Sequence, residues 1–244
     1  MQAPLEGARA LLRGARFLFV LTGAGVSAES GVPTFRGAGG YWRNRSFTEL
    51  ATPEAFARDP RLVWDWYLER RRTVRGCEPN AAHRALAEWS ARGTGLLVTQ
   101  NVDDLHERAG HRGAVHVHGS LWRNRCTRCG AERATDALEY SELPRSPCCG
   151  APERPGVVWF GESLPEEAVT AAIAGAERAD VALVIGTSSV VYPAAGFVEV
   201  ARRNGAKVVD VNPEPPSVGA RSALAADVSV ALPAGEAVPA LLLP

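Results

Sequence analysis

The chain has 244 residues, of which 46% are hydrophobic, and its 27 basic and 27 acidic residues give a formal net charge of zero. A chain of this length can bury a full core, and the balanced charge creates no field that would attract nucleic acid or an anionic membrane. The first residues do not form a secretory signal, and no apolar run reaches the ~20 residues that span a bilayer. We therefore expect a cytoplasmic protein without nucleic-acid or membrane partners, and we take it to be a monomer, although none of these features determines the oligomeric state.

Four short runs rich in Val, Leu and Ile indicate strands at residues 17–21, 95–99, 181–185 and 207–211. Each run ends at small or polar residues, which is typical of parallel strands buried on both faces. The stretches PNAAHRALAEWSARG and EEAVTAAIAGAERAD between them have helical spacing of Ala, Leu and Ile, and Gly93 is a candidate C-cap of the first. The alternation predicts an α/β fold with a Rossmann-like, doubly wound parallel sheet.

Two stretches interrupt this alternation and predict a smaller inserted domain. Residues 38–76 form a helical segment rich in Trp, Tyr and Phe, and residues 119–156 contain clustered cysteines with little hydrophobic periodicity. We call these segments the helical module and the zinc module. The remaining segments, residues 1–37, 77–118 and 157–244, would form the larger Rossmann-like domain.

A glycine-rich loop follows the first predicted strand. Its sequence GAGVSA fits the G-x-G-x-x-G/A pattern through Gly23, Gly25 and Ala28, in which glycines permit a tight turn and close approach of a pyrophosphate. Similar turns also end many strands that bind nothing. The acidic residue expected ~20 positions further on, which would hold the ribose, is absent, and this disfavours an ordinary dehydrogenase. Instead, Phe35 and Arg36 follow on a segment that could close over the phosphates.

Polar residues also follow the other three strands. In open α/β sheets, ligands bind outside the carboxyl ends of the strands, which favours a dinucleotide site there, although the same residue types are common turn formers. The candidate cofactor-binding residues are Gln100, Asn101, Asp103, Gly186, Thr187, Ser188, Asn212 and Glu214.

Four of the five cysteines lie in one short window, which indicates metal binding rather than disulfides in a chain without a leader. The expected ligands of a structural zinc ion are Cys126, Cys129, Cys148 and Cys149. The last two are adjacent and could both reach one tetrahedral ion only in a strained turn. The sequence therefore leaves open a distorted four-cysteine site, three cysteines with another ligand, or a partly lost site. Cys77 stands apart and is interpreted as a small buried residue.

Five motifs together resemble the sirtuins, the NAD-dependent protein deacylases. They are GAGVSAESGVPTFRG, TQNVDDLHERAG, VHVHGS, RPGVVWFGE and GTSSVVYPA, in this order, and the resemblance extends from about residue 12 to about residue 240. It implies a Rossmann-type large domain, a small helical and zinc-binding domain, and a cleft that takes NAD and an acylated lysine. We add Ala24, Ser27 and Ala234 to the expected NAD-binding residues.

The resemblance also implies the catalytic residues. His116 and His118 are two apart on a strand and would face the same way, and an imidazole can remove a proton from a ribose hydroxyl. The resemblance selects His118, the histidine before glycine, as this base, and implies that Asn101 and Asp103 position the nicotinamide ribose and carboxamide. The implied products are nicotinamide, O-acyl-ADP-ribose and free lysine. A structural role is expected for His83, His106, His111 and His116.

Peptide binding is expected at residues 156–162, GVVWFGE, an extended β-branched and aromatic run. In the sirtuin family an acyl-lysine peptide adds as a strand beside this segment. The alternative is one more core strand. The expected contacts are Val157, Val158, Phe160 and Gly161.

Tyr67 and Arg70 lie three residues apart on a predicted helix, so their side chains would share one face. This Y-x-x-R pair resembles the class III sirtuins, and the small Ala28 fits their roomier acyl pocket. We therefore predict that succinyl and malonyl groups are removed at least as well as acetyl, because Arg and Tyr donate to a carboxylate. The alternative is a core tyrosine beside a solvated arginine.

Other classes of function remain open at this point. An NAD-dependent protein ADP-ribosyltransferase would share the NAD cleavage chemistry. A zinc-ribbon nucleic-acid binder would use RNRCTRCG as a basic patch, but acidic residues surround it and no aromatic stacking platform accompanies it. An inactive NAD-binding scaffold is disfavoured by the presence of His118 and Asn101.

Overall fold

A six-stranded parallel sheet forms the centre of the larger part of the fold. The structure is a computed structural model that describes residues 2–34, 41–42, 45–187, 194–213 and 226–243. The sheet has the strands β1 (Leu18–Thr22), β4 (Gly95–Thr99), β5 (Val115–His116), β9 (Val181–Ile185), β10 (Lys207–Val211) and β11 (Val228–Val230). Their order is β11-β10-β9-β1-β4-β5, and every pairing is parallel. Four predicted cofactor-binding residues lie outside the described residues: Phe35, Arg36, Ser188 and Glu214.

Apolar side chains cover both faces of this sheet. In β1, Leu18 and Val20 point into one core, while Phe19 and Leu21 point into another. The first core is covered by α1 (Gln2–Gly14), α6 (Ala81–Arg92) and α10 (Ala234–Leu242), and the second by α8 (Glu166–Glu177) and α9 (Ala194–Arg203). Because both faces of the sheet are buried, the sequence of each strand is a continuous run of apolar residues. Three predicted strands match the structure in both bounds, and the first is displaced by one residue.

Helix α6 begins where a polar side chain caps it. The Asn80 side chain accepts hydrogen bonds from the backbone N–H groups of Ala82 and His83 at the start of α6, which ends at the predicted C-cap, Gly93. None of the helices that the structure describes has both the length and the apolar character that a bilayer crossing needs.

The helical module contains short elements followed by one long helix. Its elements are β2 (Tyr41–Trp42), β3 (Arg45–Ser46), α3 (Phe47–Leu50), α4 (Pro53–Arg58) and α5 (Pro60–Gly76). Helices α4 and α5 both begin with proline, and the side chains of Thr52 and Asp59 cap them.

The zinc module forms an antiparallel sheet that the sequence did not predict. Its strands β6 (Gly119–Cys126), β7 (Glu132–Ala134) and β8 (Glu153–Val157) lie in the order β7-β6-β8. The extended run expected at 156–162 is therefore only partly a strand, because β8 begins earlier and ends at Val157. Leu121 and Val157 from this sheet share a third core with Trp64 and Tyr67 of the helical module. The parallel sheet with this smaller unit confirms the predicted fold class.

Candidate active site

Hydrogen bonds join the carboxyl ends of several strands in the parallel sheet. The Gln100 side chain after β4 donates to Thr187 Oγ1 after β9 at 2.9 Å. The side-chain amide of Asn212 after β10 donates to the Thr187 carbonyl at 3.2 Å. Thr22 at the end of β1 donates to Thr99 at the end of β4 at 2.8 Å. The structure therefore brings the predicted residues of three strands to one edge, as ligand sites of open α/β sheets require.

The glycines of the first loop are needed for contact with the end of β9. The Gly25 N–H donates to the Gly186 carbonyl at 2.8 Å. A Cβ at Gly23 would lie 2.8 Å from Thr187 Cβ, and one at Gly25 would lie 2.7 Å from Gly186 Cα. The helix that follows, α2 (Gly25–Ala28), is a single turn. The sequence pattern correctly indicated close backbone approach, but in the described structure that approach is to residues 186–187.

Ser27 is the centre of a buried polar network between this loop and the loop after β4. Its hydroxyl donates to Asp103 at 3.1 Å, accepts from the Asn101 side-chain amide at 3.1 Å, and contacts His83 Nε2 at 3.3 Å. His83 Nδ1 accepts from the backbone N–H of Asn80, so its Nε2 carries the proton and donates to Ser27. All hydrogen-bonding positions of the Ser27 hydroxyl are thus used, and three predicted cofactor-binding residues are held together.

Burial sets the charges in this network. It lowers the pKa of His83 to about 4, which keeps the imidazole neutral near pH 7, and it raises the pKa of Asp103. His106 lies in the short helix α7 (Leu105–Arg108), its Nε2 contacts Thr22 Oγ1 at 3.1 Å, and burial lowers its pKa as well. The sequence analysis gave these histidines a structural role and missed the contact of His83 with Ser27. The capping pattern from Asn80 to His83 was the only available signal.

A shallow cleft opens beside the Ser27 network. It lies between the first loop, the loop after β4, helix α5 and strand β6. Its described lining includes Ala24, Ser27, Arg70, Asn101, Asp103 and Leu121. A concave site with a few convergent polar groups on an apolar wall is typical of a small-molecule pocket. Arg70, which is predicted to recognise the acyl group, therefore lines the same cleft as several predicted NAD-binding residues.

His118 lies where the chain passes from the parallel sheet to the antiparallel sheet. Its Nδ1 is 2.9 Å from the Gln100 carbonyl, which can only accept, so Nδ1 carries the proton. Its Nε2 has no hydrogen-bond partner among the described residues. Burial lowers the pKa of His118, although the bond to Gln100 opposes this shift. The next residue, Gly119, has φ +73°, and a side chain there would collide with the Gly156 carbonyl.

His116 differs from His118 because both of its ring nitrogens are engaged. Nδ1 is 3.1 Å from the Asn101 carbonyl, and Nε2 is 2.9 Å from the Glu107 carboxylate. Burial would lower the pKa of His116, but the hydrogen bond and charge of Glu107 outweigh it and raise the pKa. The two-residue spacing could not show which of the two histidines is the base. In the structure, only His118 of this pair has a ring nitrogen without a hydrogen-bond partner among the described residues.

The predicted peptide-binding segment passes directly beside His118. The Val158 N–H donates to the His118 carbonyl at 2.9 Å, and the Phe160 N–H donates to the Ala51 carbonyl at 2.9 Å. The Phe160 side chain is 48% exposed, and Gly161 has φ +86°. The Val157 side chain is packed in the third core, so it is a core residue as the alternative interpretation expected. β8 is an edge strand of its sheet.

Tyr67 and Arg70 lie on one face of α5, but in different environments. Tyr67 is 2% exposed and packs in the third core, where its hydroxyl accepts a hydrogen bond from the Trp159 indole at 3.0 Å. Burial raises the pKa of Tyr67 to about 12. Arg70 is half-buried in the cleft, with Cζ 5.7 Å from the Tyr67 ring centroid, and burial lowers its pKa. The alternative interpretation is thus right about a core tyrosine and wrong about a solvated arginine.

The four clustered cysteines fit one tetrahedral metal site. Their Sγ atoms all lie within 4.8 Å of one another, with 3.0 Å between Cys129 and Cys148 and 3.4 Å between Cys126 and Cys149. The adjacent pair therefore reaches a common centre, helped by the turn at Gly150 with φ +69°. Four thiolates are the usual ligands of structural zinc, so the cluster is compatible with zinc binding. Cys77 is buried and lies outside this cluster, as predicted.

Two predicted NAD-binding alanines lie away from the described cleft lining. The Ala234 side chain, at the start of α10, packs in the first core. Ala28 is exposed and is not part of the described lining, so the structure does not support its expected place in a roomier acyl pocket. Among the alanines predicted at this site, Ala24 does line the cleft.

The arrangement of loop, strand ends and histidine can be compared with known proteins. The family model described as the Sir2 family matches residues 23–193. The chain belongs to the Sir2 family. This confirms the resemblance to sirtuins that the five sequence motifs indicated.

Individual Sir2-family relatives match almost the whole chain. The NAD-dependent protein deacylase 1 of Pseudomonas aeruginosa is 52% identical over 242 residues, covering 95% of each chain. A solved structure of a Sir2 homologue in complex with NAD has a TM-score of 0.91 and 44% identity, and the match covers 97% of this chain and 92% of that one. A solved Sir2 complex with a p53 peptide and NAD⁺ has a TM-score of 0.83 and 32% identity, with 96% and 95% coverage.

Proposed function

We propose that the chain is an NAD-dependent protein-lysine deacylase that removes succinyl, malonyl and acetyl groups. One water molecule would be consumed, and the products would be nicotinamide, O-acyl-ADP-ribose and free lysine. The observation that carries this proposal is His118, a neutral imidazole with an available Nε2, whose ring is bonded to the carbonyl of Gln100, the residue before the cleft-lining Asn101. The names of the Sir2-family relatives, which are NAD-dependent protein deacylases, support the same activity.

The residues at the sheet edge would bind and orient NAD. Asn101 and Asp103, fixed by Ser27, would hold the nicotinamide ribose and carboxamide, while Gln100, Thr187 and the glycine loop would line the rest of the site. When bound, NAD supplies a glycosidic bond whose cleavage allows the acyl oxygen to be transferred to the ribose. His118 would accept a ribose hydroxyl proton at Nε2, and its Nδ1–H bond to the Gln100 carbonyl would orient the ring.

The acylated peptide would bind as an extended strand beside His118. The edge strand β8 and the exposed Phe160 offer backbone groups and an apolar surface for such a strand. A Sir2 neighbour solved with a p53 peptide and NAD⁺ supports this class of partner. Zinc at the four cysteines would hold the zinc module folded, and the five-segment division of the chain is part of the same proposal.

Arg70 would select acyl groups that end in a carboxylate. Its guanidinium lies in the same cleft as Asn101, one helical turn from Tyr67. A succinyl or malonyl carboxylate can accept two parallel hydrogen bonds from it, whereas an acetyl group offers no acceptor there. Because a hydrogen bond to a charged group contributes about 1.5–3 kcal/mol, the preference should be about tenfold or more in kcat/KM.

The acyl preference is tested by kcat/KM for succinyl- and acetyl-lysine in one peptide. We expect Arg70→Met to lower the succinyl value far more than the acetyl value. Arg72→Met is the matched control, because Arg72 is exposed and, within the part of the chain that the structure describes, its side chain donates only to the Leu138 carbonyl. A parent enzyme that strongly prefers acetyl, or an Arg70→Met variant that loses both activities equally, would show that Arg70 does not recognise the carboxylate.

Labelled NAD separates deacylation from ADP-ribosyl transfer. Label released as acyl-ADP-ribose, in amounts equal to the free lysine formed, is the expected result. Label retained covalently on protein would identify an ADP-ribosyltransferase instead.

A further inference from the structure

Trp159 connects the peptide-binding segment to the helix that carries Tyr67 and Arg70. It lies two residues after the end of β8, is 3% exposed, and donates its indole N–H to the Tyr67 hydroxyl at 3.0 Å. The two residues are 92 positions apart in the chain.

This hydrogen bond fixes the direction of the tyrosine hydroxyl. An indole nitrogen can only donate, so the Tyr67 oxygen must be the acceptor. The hydroxyl proton is then directed elsewhere, and no described residue accepts it. Burial raises the pKa of Tyr67 to about 12, so the proton is retained at physiological pH. A buried O–H without an acceptor is unfavourable, and a ligand that supplies one would remove this cost.

The indole itself is held by three further contacts. The Arg154 guanidinium stacks on the ring with Cζ 3.4 Å from its centroid, and the Phe56 ring lies 5.4 Å away. The Trp159 backbone N–H donates to Glu162 at 2.8 Å, and Glu162 in turn pairs with Arg154. These contacts restrain both the ring and the backbone of Trp159, which keeps the indole N–H directed at Tyr67.

We propose that Trp159 is a positioning residue for acyl recognition. By donating to the Tyr67 oxygen, it directs the tyrosine proton to an acceptor on the acyl group, next to the Arg70 guanidinium. The proposal rests on the proposed preference for succinyl and malonyl groups. A terminal carboxylate can accept from both side chains, whereas an acetyl group ends in a methyl and gains nothing from the orientation of Tyr67. Trp159 therefore acts on selectivity rather than on the chemical step.

Trp159→Phe removes the indole N–H and keeps an aromatic ring for Arg154 to stack on. We expect the ratio of succinyl to acetyl kcat/KM to fall about tenfold, mainly through a higher KM for the succinyl peptide. Trp122→Phe is the matched control, because Trp122 lies in β6 and its buried indole N–H has no hydrogen-bond partner among the described residues. The ratio of succinyl to acetyl kcat/KM for Trp122→Phe should equal that of the parent enzyme.

A double-mutant cycle separates positioning from a general loss of structure. In a Tyr67→Phe background there is no hydroxyl to orient, so adding Trp159→Phe should leave the selectivity ratio unchanged. Thermal melting of each variant is measured alongside. An equal drop in both backgrounds, or an unchanged ratio in the single variant, would overturn the role of Trp159 while leaving the acyl preference intact. A parent enzyme without succinyl preference would overturn both.

Discussion

Replacing Arg71 by Met should destabilise the contact between the helical module and the zinc module. Arg71 is completely buried on α5. It donates to the Leu121 carbonyl at 2.7 Å, the Asn124 side chain at 2.9 Å and the Ala137 carbonyl at 3.1 Å. No carboxylate pairs with it among the described residues, so these neutral acceptors hold α5 against the zinc module.

The cost of this substitution follows from the acceptors that lose their donor. Each buried carbonyl or amide oxygen without a partner costs about 1–3 kcal/mol. Three such oxygens, less the relief from no longer burying a charge, give a loss of about 4 kcal/mol in the free energy of unfolding. The similar shape of Met limits any additional cavity cost. Because α5 also carries Arg70, activity on succinyl peptides should fall as well.

Denaturant unfolding of Arg71→Met and Arg72→Met provides the measurement. Arg72 is the neighbouring residue, but it is exposed, and among the described residues its side chain donates only to the Leu138 carbonyl. We expect its substitution to change the free energy of unfolding by less than about 0.5 kcal/mol. Similar losses for the two variants would refute the reasoning that buried hydrogen bonds from Arg71 hold the two modules together.

Three further predictions concern pH and metal. Burial lowers the pKa of His118, so the acid limb of kcat/KM should lie below pH ~6.5; a limb well above that value would contradict His118 as a neutral base. Purified protein should contain about one zinc ion per chain, which Cys149→Ser removes and Cys77→Ser does not; equal retention would exclude the four-cysteine site. Burial raises the pKa of Asp210 to about 6. The stability associated with its neutral carboxyl is therefore present below pH ~4 and lost as pH rises through about 6, so Asp210→Asn should stabilise the protein by about 3 kcal/mol at pH 7.5 and very little at pH 4. A gain that does not depend on pH would contradict burial as the cause.

The parallel sheet could be predicted because its signals are local. Runs such as VALVI at residues 181–185 are buried on both faces, so each strand is visible without knowing its neighbours. The antiparallel sheet gave no such signal. In β6, the buried residues Leu121, Asn124 and Cys126 are unevenly spaced, because the pairing with β8 shifts register between Gly119 and Asn124. The alternation of buried and exposed residues that marks a strand in a sequence is broken at such an irregularity.

Site residues could be predicted best where they lie in a motif whose residue types indicate the chemistry. The position of His118 before glycine, and the polar residues after each strand, gave the sheet-edge residues that the structure brings together. Contacts between distant residues could not be predicted. Ser27 meets His83 across 56 positions and Tyr67 meets Trp159 across 92. No local pattern encodes such pairs, and they decide which tautomer and which hydroxyl direction the site contains.

Mass spectrometry of acyl-lysine peptides, incubated with and without NAD, tests the proposed activity most directly. We expect succinyl-, malonyl- and acetyl-lysine to be converted to free lysine only when NAD is present, with equal amounts of nicotinamide released. His118→Ala should lower turnover at least about 100-fold while leaving thermal stability close to that of the parent. Deacylation without NAD, or near-parent turnover by His118→Ala, would contradict the proposed enzyme and its base.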